Sequence, residues 1–208
     1  MGIAARRREL PRRSLDGERL KVVDRIVPGI FLVASPRLLD PNFARTVVLL
    51  CDHNTQGSWG LVVNRRMNLT FGDLLDALPF PAGAAGPVHW GGPCDTARMQ
   101  VLHRLRRHAG ECLSICRNVE LGLEIDLLKS ILAEPLLPGE ALNGYVGYAG
   151  WGPEQLALEL EEQSWIPCSA RSTIVFDTPP DEIWERVLDS LGDDWSRLSE
   201  FPPDRQWN

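Results

Sequence analysis

GIFLVASPRLLDPNFARTVVLLCDHNTQGSWGLVVNR, residues Gly29 to Arg65, carries three apolar runs separated by turn-forming residues. PGIFLVA, taken from Pro28, stops at Ser35-Pro36; TVVLL spans Thr46–Leu50; WGLVV spans Trp59–Val63. Asn54, Gly57 and Ser58 lie between the second and third runs, which predicts an antiparallel hairpin. The runs are continuous rather than alternating, so both of their faces are expected to be covered. They form the predicted centre of the core.

Outward from this centre, Thr70 is the predicted N-cap of a helix over FGDLLDALPF, with Phe71, Leu74, Leu75 and Leu78 on one face and Pro79 ending it. Strands are expected at PVHWGGP, RMQVLHRL, ECLSIC and NVELGL, then a helix near Ile125 to Leu132. YVGYAGW, Tyr145 to Trp151, reads as strand and turn. Pro153 suits the first turn of a helix with Leu156 and Leu160 on one side. STIVF, Ser172 to Phe176, is predicted as a strand. A last helix is expected from Thr178, with Pro179 at its first position and Asp181 completing a capping box; it buries Ile183, Val187, Leu188 and Leu191 and stops at Gly192. Hairpins with interspersed helices predict an α+β fold: a single compact domain over residues 22–208, with a mixed, largely antiparallel sheet and flanking helices.

The chain has 208 residues, 44% hydrophobic and 24% charged, an ordinary globular composition. No apolar run approaches the roughly 18 residues of a membrane span, and no membrane contact is expected. The Arg-rich start lacks the apolar segment of a secretory signal. Five cysteines at scattered positions make a poor disulfide framework, so reduced thiols and a cytoplasmic location are expected. Cys112 and Cys116 would share a strand face about 13 Å apart, too far for a bridge or one metal. Net charge is -6, yet residues 1–21 hold seven Arg and Lys against three acids, a net +4 that leaves -10 on the remainder. The arm over 1–21 is expected to be disordered. An acidic body repels nucleic acid, so any such contact falls to the arm.

Three places invite chemistry. In CDHN, Cys51–Asn54, an apolar strand feeds a polar loop; a thiolate beside an imidazole makes a nucleophile. In a regular strand, however, Cys51 and His53 share a face roughly 6 to 7 Å apart, beyond a direct hydrogen bond. In HWGGP, His89–Pro93, Gly91 and Gly92 allow a tight turn whose N–H groups suit either packing or an anion, but no nucleotide-binding signature is present. In GYAGWGPEQL a Gly-rich turn enters a helix whose positive end Glu154 itself occupies. His53, His89 and His103 with Cys51 or Cys94 lack any metal-ligand spacing, and no GxSxG occurs, so no metal and no cofactor are expected.

Taken together, Gly29–Arg65, PVHWGGPCDTARMQVLH (Pro87–His103), GYAGWGPEQLALELEEQSW (Gly147–Trp165), and IVFDTP with Trp184 and Leu191-Gly192 behind it resemble the YqgE/AlgH family of bacterial proteins. The resemblance runs from about Val27 to Leu191. It implies a compact cytosolic α+β fold with a mixed sheet, and no established reaction or cofactor. Asn42, Phe43, Cys51, His53, Asn64, Gly91, Gly92, Pro93, His103, Gly147, Gly150 and Trp151 match its signature positions. One departure is GPEQLALEL, where the family reads close to GPGQLEQEL, so that Glu154 replaces a glycine.

Three functions follow for test. The first is a non-enzymatic binding or regulatory module with a protein or small-molecule partner, its surface drawn from Cys51, His53, Asn64, Gly91, Gly92, Pro93 and His103. The second is a cysteine-dependent enzyme or redox sensor using Cys51 with His53 or His103. The third, transcriptional regulation, rests on family association alone, since no helix-turn-helix pattern appears.

Overall fold

A computed structural model describes residues 20–21, 23–74, 87–105, 112–122, 128 and 136–192. The strands are β1 (Ile30–Ala34), β2 (Val47–Asn54), β3 (Gly57–Val62), β4 (Arg66–Thr70), β5 (Pro87–Trp90), β6 (Cys94–His103), β7 (Leu113–Cys116), β8 (Val119–Leu121), β9 (Leu142–Trp151) and β10 (Trp165–Ser169). The helices are α1 (Phe71–Leu74), α2 (Gln155–Glu161), α3 (Ser172–Asp177) and α4 (Pro180–Leu191). All ten strands join one sheet in the order β10-β1-β2-β3-β9-β6-β8-β7, with the β4-β5 pair branching from β9. Pairing is antiparallel except for β5 on β9. A largely antiparallel sheet with a few helices, in one domain, is therefore the observed architecture.

The central hairpin is as predicted, and its two-sided burial has a visible cause. Side chains alternate along a strand, and each of the three central strands finds an apolar layer on both sides. Phe31, Val33, Val47, Leu49, Cys51, Leu61 and Val63 enter one cluster, which α3 and α4 cover with Ile174, Val175, Ile183, Trp184, Val187 and Leu188. Ile30, Leu32, Ala34, Val48, Leu50 and Val62 enter the other, with Ala149, Trp151, Leu156 and Trp165. Trp184 also donates its indole N–H to the Ala34 carbonyl at 2.8 Å, tying α4 to the end of β1.

Two expectations near the C-terminus are corrected. STIVF is a helix, α3, not a strand. Its β-branched residues favour extended backbone locally, but consecutive Ile174 and Val175 both enter the core, which a half-covered strand does not allow. The last helix starts at Pro180 rather than at Pro179, and Thr178 does not cap it. The Thr178 hydroxyl turns back to the Thr173 carbonyl at 3.1 Å and closes α3 instead. Elsewhere, Thr70 and Asp73 exchange bonds at the start of α1 as expected. The rest of that helix, the one near Ile125 to Leu132 apart from Leu128, and residues 1–19 of the arm lie outside the described residues. Leu20 is buried in the main cluster, and Lys21 and Val23 exchange backbone bonds with Ser169 and Pro167 along the outer edge of β10.

Among the described residues no helix is long and apolar enough to cross a membrane.

Candidate functional site

The β2–β3 register slips at Cys51: Leu50 faces Gly60, but Asp52 already faces Trp59. Such a bulge inserts one residue and reverses the facing of everything after it. Cys51 stays in the main cluster, 2% exposed, with its thiol 3.5 Å from the Leu49 carbonyl. Asp52 then joins Trp59 on that same side, while His53 pairs with Ser58 on the opposite one and lies 2.7 Å from its hydroxyl. Cys51 and His53 are therefore not brought together. Burial pushes the Cys51 thiol far above its ordinary range, the reverse of what a nucleophile needs.

The other expected residues serve the fold. Asn64 accepts from the Val47 N–H at 2.8 Å and donates to the Arg45 carbonyl at 2.9 Å, stapling the loop before β2 to the end of β3. Gly91 donates to Val146 and accepts from Val62, so its N–H is not free for an anion. A Cβ on Gly91 would stand 2.3 Å from the Gly147 carbonyl, and one on Gly92, at φ 151°, 2.1 Å from the Tyr148 carbonyl carbon. These glycines let the strand end press on the β9 backbone. Pro93 is exposed beside them. His89 is buried and stacked on Tyr145 at 5.1 Å; burial lowers its pKa to about 4. His103 alternates away from Leu102 of the main cluster and approaches Cys112, not Cys51.

An open concavity lies where β3, β9 and the start of β6 meet. It is a cleft of about 520 Å³ whose lining includes Asp52, Trp59, Cys94, Arg98, Tyr148 and Trp151. Three local features make it. The bulge at Cys51 turns Asp52 toward Trp59. A second irregularity between Cys94 and Met99 lets residues 95–98 leave the β9 ladder, with Asp95 at φ 45° and Arg98 bonded to it at 3.1 Å. Gly150, paired with Trp59, leaves the floor without a side chain. Trp59 and Tyr148 stand edge to face at 5.9 Å, a wall held by the favoured aromatic geometry. Behind it, the Glu159 carboxylate of α2 accepts from the indole N–H groups of Trp151 and Trp165 at 2.8 and 2.7 Å, fixing the far side.

Of this lining, Trp59, Gly150 and Trp151 are conspicuous in sequence, and Asp52 and Tyr148 fall within the CDHN and GYAGWGPEQL segments; Arg98 is not singled out by the sequence. The available signal was the Gly-aromatic alternation of GYAGW, which sets Tyr148 and Gly150 on one face. The cleft offers an aromatic wall, a mixed polar rim and no assembled acid, base and nucleophile among the described residues. It suits binding.

Comparisons with known proteins agree with the resemblance. A family model described as AlgH-like matches residues 31–196. A UPF0301 protein of Nitrosococcus oceani is 40% identical over 174 residues, covering 81% of this chain and 91% of its own. One from Azoarcus is 37% identical over 174 residues, covering 82% and 92%. The solution structure of the AlgH protein from Pseudomonas aeruginosa matches with a TM-score of 0.66 at 32% identity, over 86% of this chain and 98% of that one. A crystal structure from Corynebacterium diphtheriae shares the fold, with a TM-score of 0.71 at 19% identity over 86% and 94%. With most of its length matched by the family model and by relatives more than 30% identical, the chain belongs to the AlgH-like family.

Proposed function

We propose that this protein is a non-enzymatic binding module that engages a small molecule or a short protein segment in the cleft between Trp59, Tyr148 and Trp151. The observation that carries this reading is the combination of an open aromatic wall with a polar rim of Asp52 and Arg98. A flat or aliphatic group packs against the rings while the rim selects its polar ends, the usual division of labour in a ligand site. The burial of Cys51 and its separation from His53 argue against the nucleophile reading. A regulatory role fits a binder without a reaction. Assignment to the α+β class rests on helices interspersed with a mixed sheet, and a cytoplasmic location on five free cysteines. Contact with nucleic acid, in this reading, is left to the basic arm.

The test is a thermal-shift screen of a metabolite panel and a short-peptide library against the native chain, Trp59→Ala and Tyr148→Ala. A ligand at a hundred times its dissociation constant contributes about 2.7 kcal/mol, a rise of several degrees. The expected result is a shift in the native chain that both variants lose while keeping their own folded spectra. A panel that shifts unrelated control proteins but never this one, or a shift that survives both substitutions, rejects the cleft.

A further inference from the structure

On the face of the sheet turned away from the main cluster, β6, β8 and β7 bring three unlike ligating groups to one point. His103 pairs directly with Glu120, and Glu120 with Ser114. Directly paired residues share a face, and Cys112, two residues before Ser114, projects to that same face. The result is a cluster on one face in which imidazole, carboxylate and thiol lie side by side.

We propose that His103, Cys112 and Glu120 form a binding site for a borderline-soft divalent cation, with zinc the natural occupant. One ligand atom from each residue lies within 4.8 Å of the other two. His103 Nε2 and Cys112 Sγ are 3.3 Å apart. A tetrahedral zinc with bonds of about 2.3 Å to sulfur and about 2.0 Å to nitrogen holds those atoms roughly 3.5 Å apart, so the pair needs almost no movement. Glu120 Oε2 stands 4.0 Å from the other ring nitrogen, on a side chain 42% exposed and able to turn onto the ion.

The surroundings favour a site rather than a chance contact. His103 is fully buried and forms a rigid floor, whereas Cys112 and Glu120 are half-exposed and give an entry path. In the free chain both ligand atoms converge on one acceptor: His103 Nε2–H donates to the Gly122 carbonyl at 3.1 Å and the Cys112 thiol donates to it at 3.2 Å, two bonds that the cation replaces. Gly122 itself has no side chain to crowd the fourth position, and a Cβ there would meet nothing within 4 Å. The mixed sulfur, nitrogen and oxygen set suits zinc and not magnesium or calcium, which take oxygen. Uptake replaces the proton on Cys112 Sγ with the cation and releases it. Three protein ligands and one water describe an open centre.

The experiment is a cobalt titration of the reduced full-length chain, with zinc as competitor. The native protein should take up one cobalt per chain, show an intense thiolate-to-cobalt band with visible bands of tetrahedral strength, and lose both when zinc is added. Cys112→Ser should abolish the thiolate band and weaken binding about 100-fold; Glu120→Gln should keep the band and weaken binding about tenfold. Cys94→Ser, a thiol in the cleft, should change neither. The proposal falls if the native chain takes up no cobalt, if the band persists in Cys112→Ser, or if Cys94→Ser removes it equally. Should Cys112→Ser not fold by circular dichroism, Glu120→Gln decides alone, and unchanged affinity there overturns the site.

Discussion

His89 shows how one buried side chain sets a dependence on solvent. It lies stacked on Tyr145, where burial opposes the charged form most strongly and the nearby Arg66 adds to the effect, against a bond to the Gly144 backbone. Its pKa falls from 6.5 to about 4. The unfolded chain therefore binds more protons than the folded one between those values. This contribution to stability is complete above pH 6.5 and is lost as pH falls toward 4, by on the order of 3 kcal/mol. Urea denaturation of the native chain and of His89→Phe across that window checks it: the native curve should lose stability more steeply than the variant's as pH falls. Parallel slopes would assign the loss to other groups. The same scale explains why the expected site residues misled. Cys51 and His53 are two apart, and regular alternation would put them on one face; a single bulge put them on opposite faces. No residue in CDHN announces that bulge.

At the scale of elements, α2 begins on a strained residue. Glu154, where the family resemblance leads one to expect glycine, has φ 62° and ψ -13° and makes no side-chain capping bond. Left-handed backbone costs a non-glycine residue about 1 to 2 kcal/mol, and the greater freedom of glycine in the unfolded chain offsets part of the gain from removing it. Glu154→Gly is expected to stabilise the fold by about 0.5 to 1 kcal/mol, read as a higher urea midpoint at unchanged slope. A lower midpoint would mean that Glu154 makes up its strain by helping to anchor α2. Sequence placed the buried side of this helix correctly because Leu156 and Leu160 keep helical spacing, but its start falls two residues later than expected: Pro153, read as part of the first turn, precedes the Glu154 cap. It failed on α3, where a six-residue helix is too short for spacing to outweigh β-branched composition.

For the whole molecule, the central strands were legible because two-sided burial writes itself into sequence as uninterrupted apolar runs. The cleft was not, because Trp59 and Tyr148 are far apart in the chain and meet only through the β3–β9 register. The same three strands support both apolar clusters, so neither layer has a backbone of its own to survive on. Unfolding is expected to be one cooperative event, with calorimetric and van't Hoff enthalpies equal and with near-UV and far-UV signals coincident. Two separated transitions would show that the layers come apart independently.

The backbone bonds that Lys21 and Val23 make along β10 have a practical side as well. They occupy a strand border that would otherwise face solvent with its hydrogen-bonding groups unmatched, the condition under which chains join edge to edge and aggregate. A chain shortened beyond Val23 for crystallisation or expression would lose this seal.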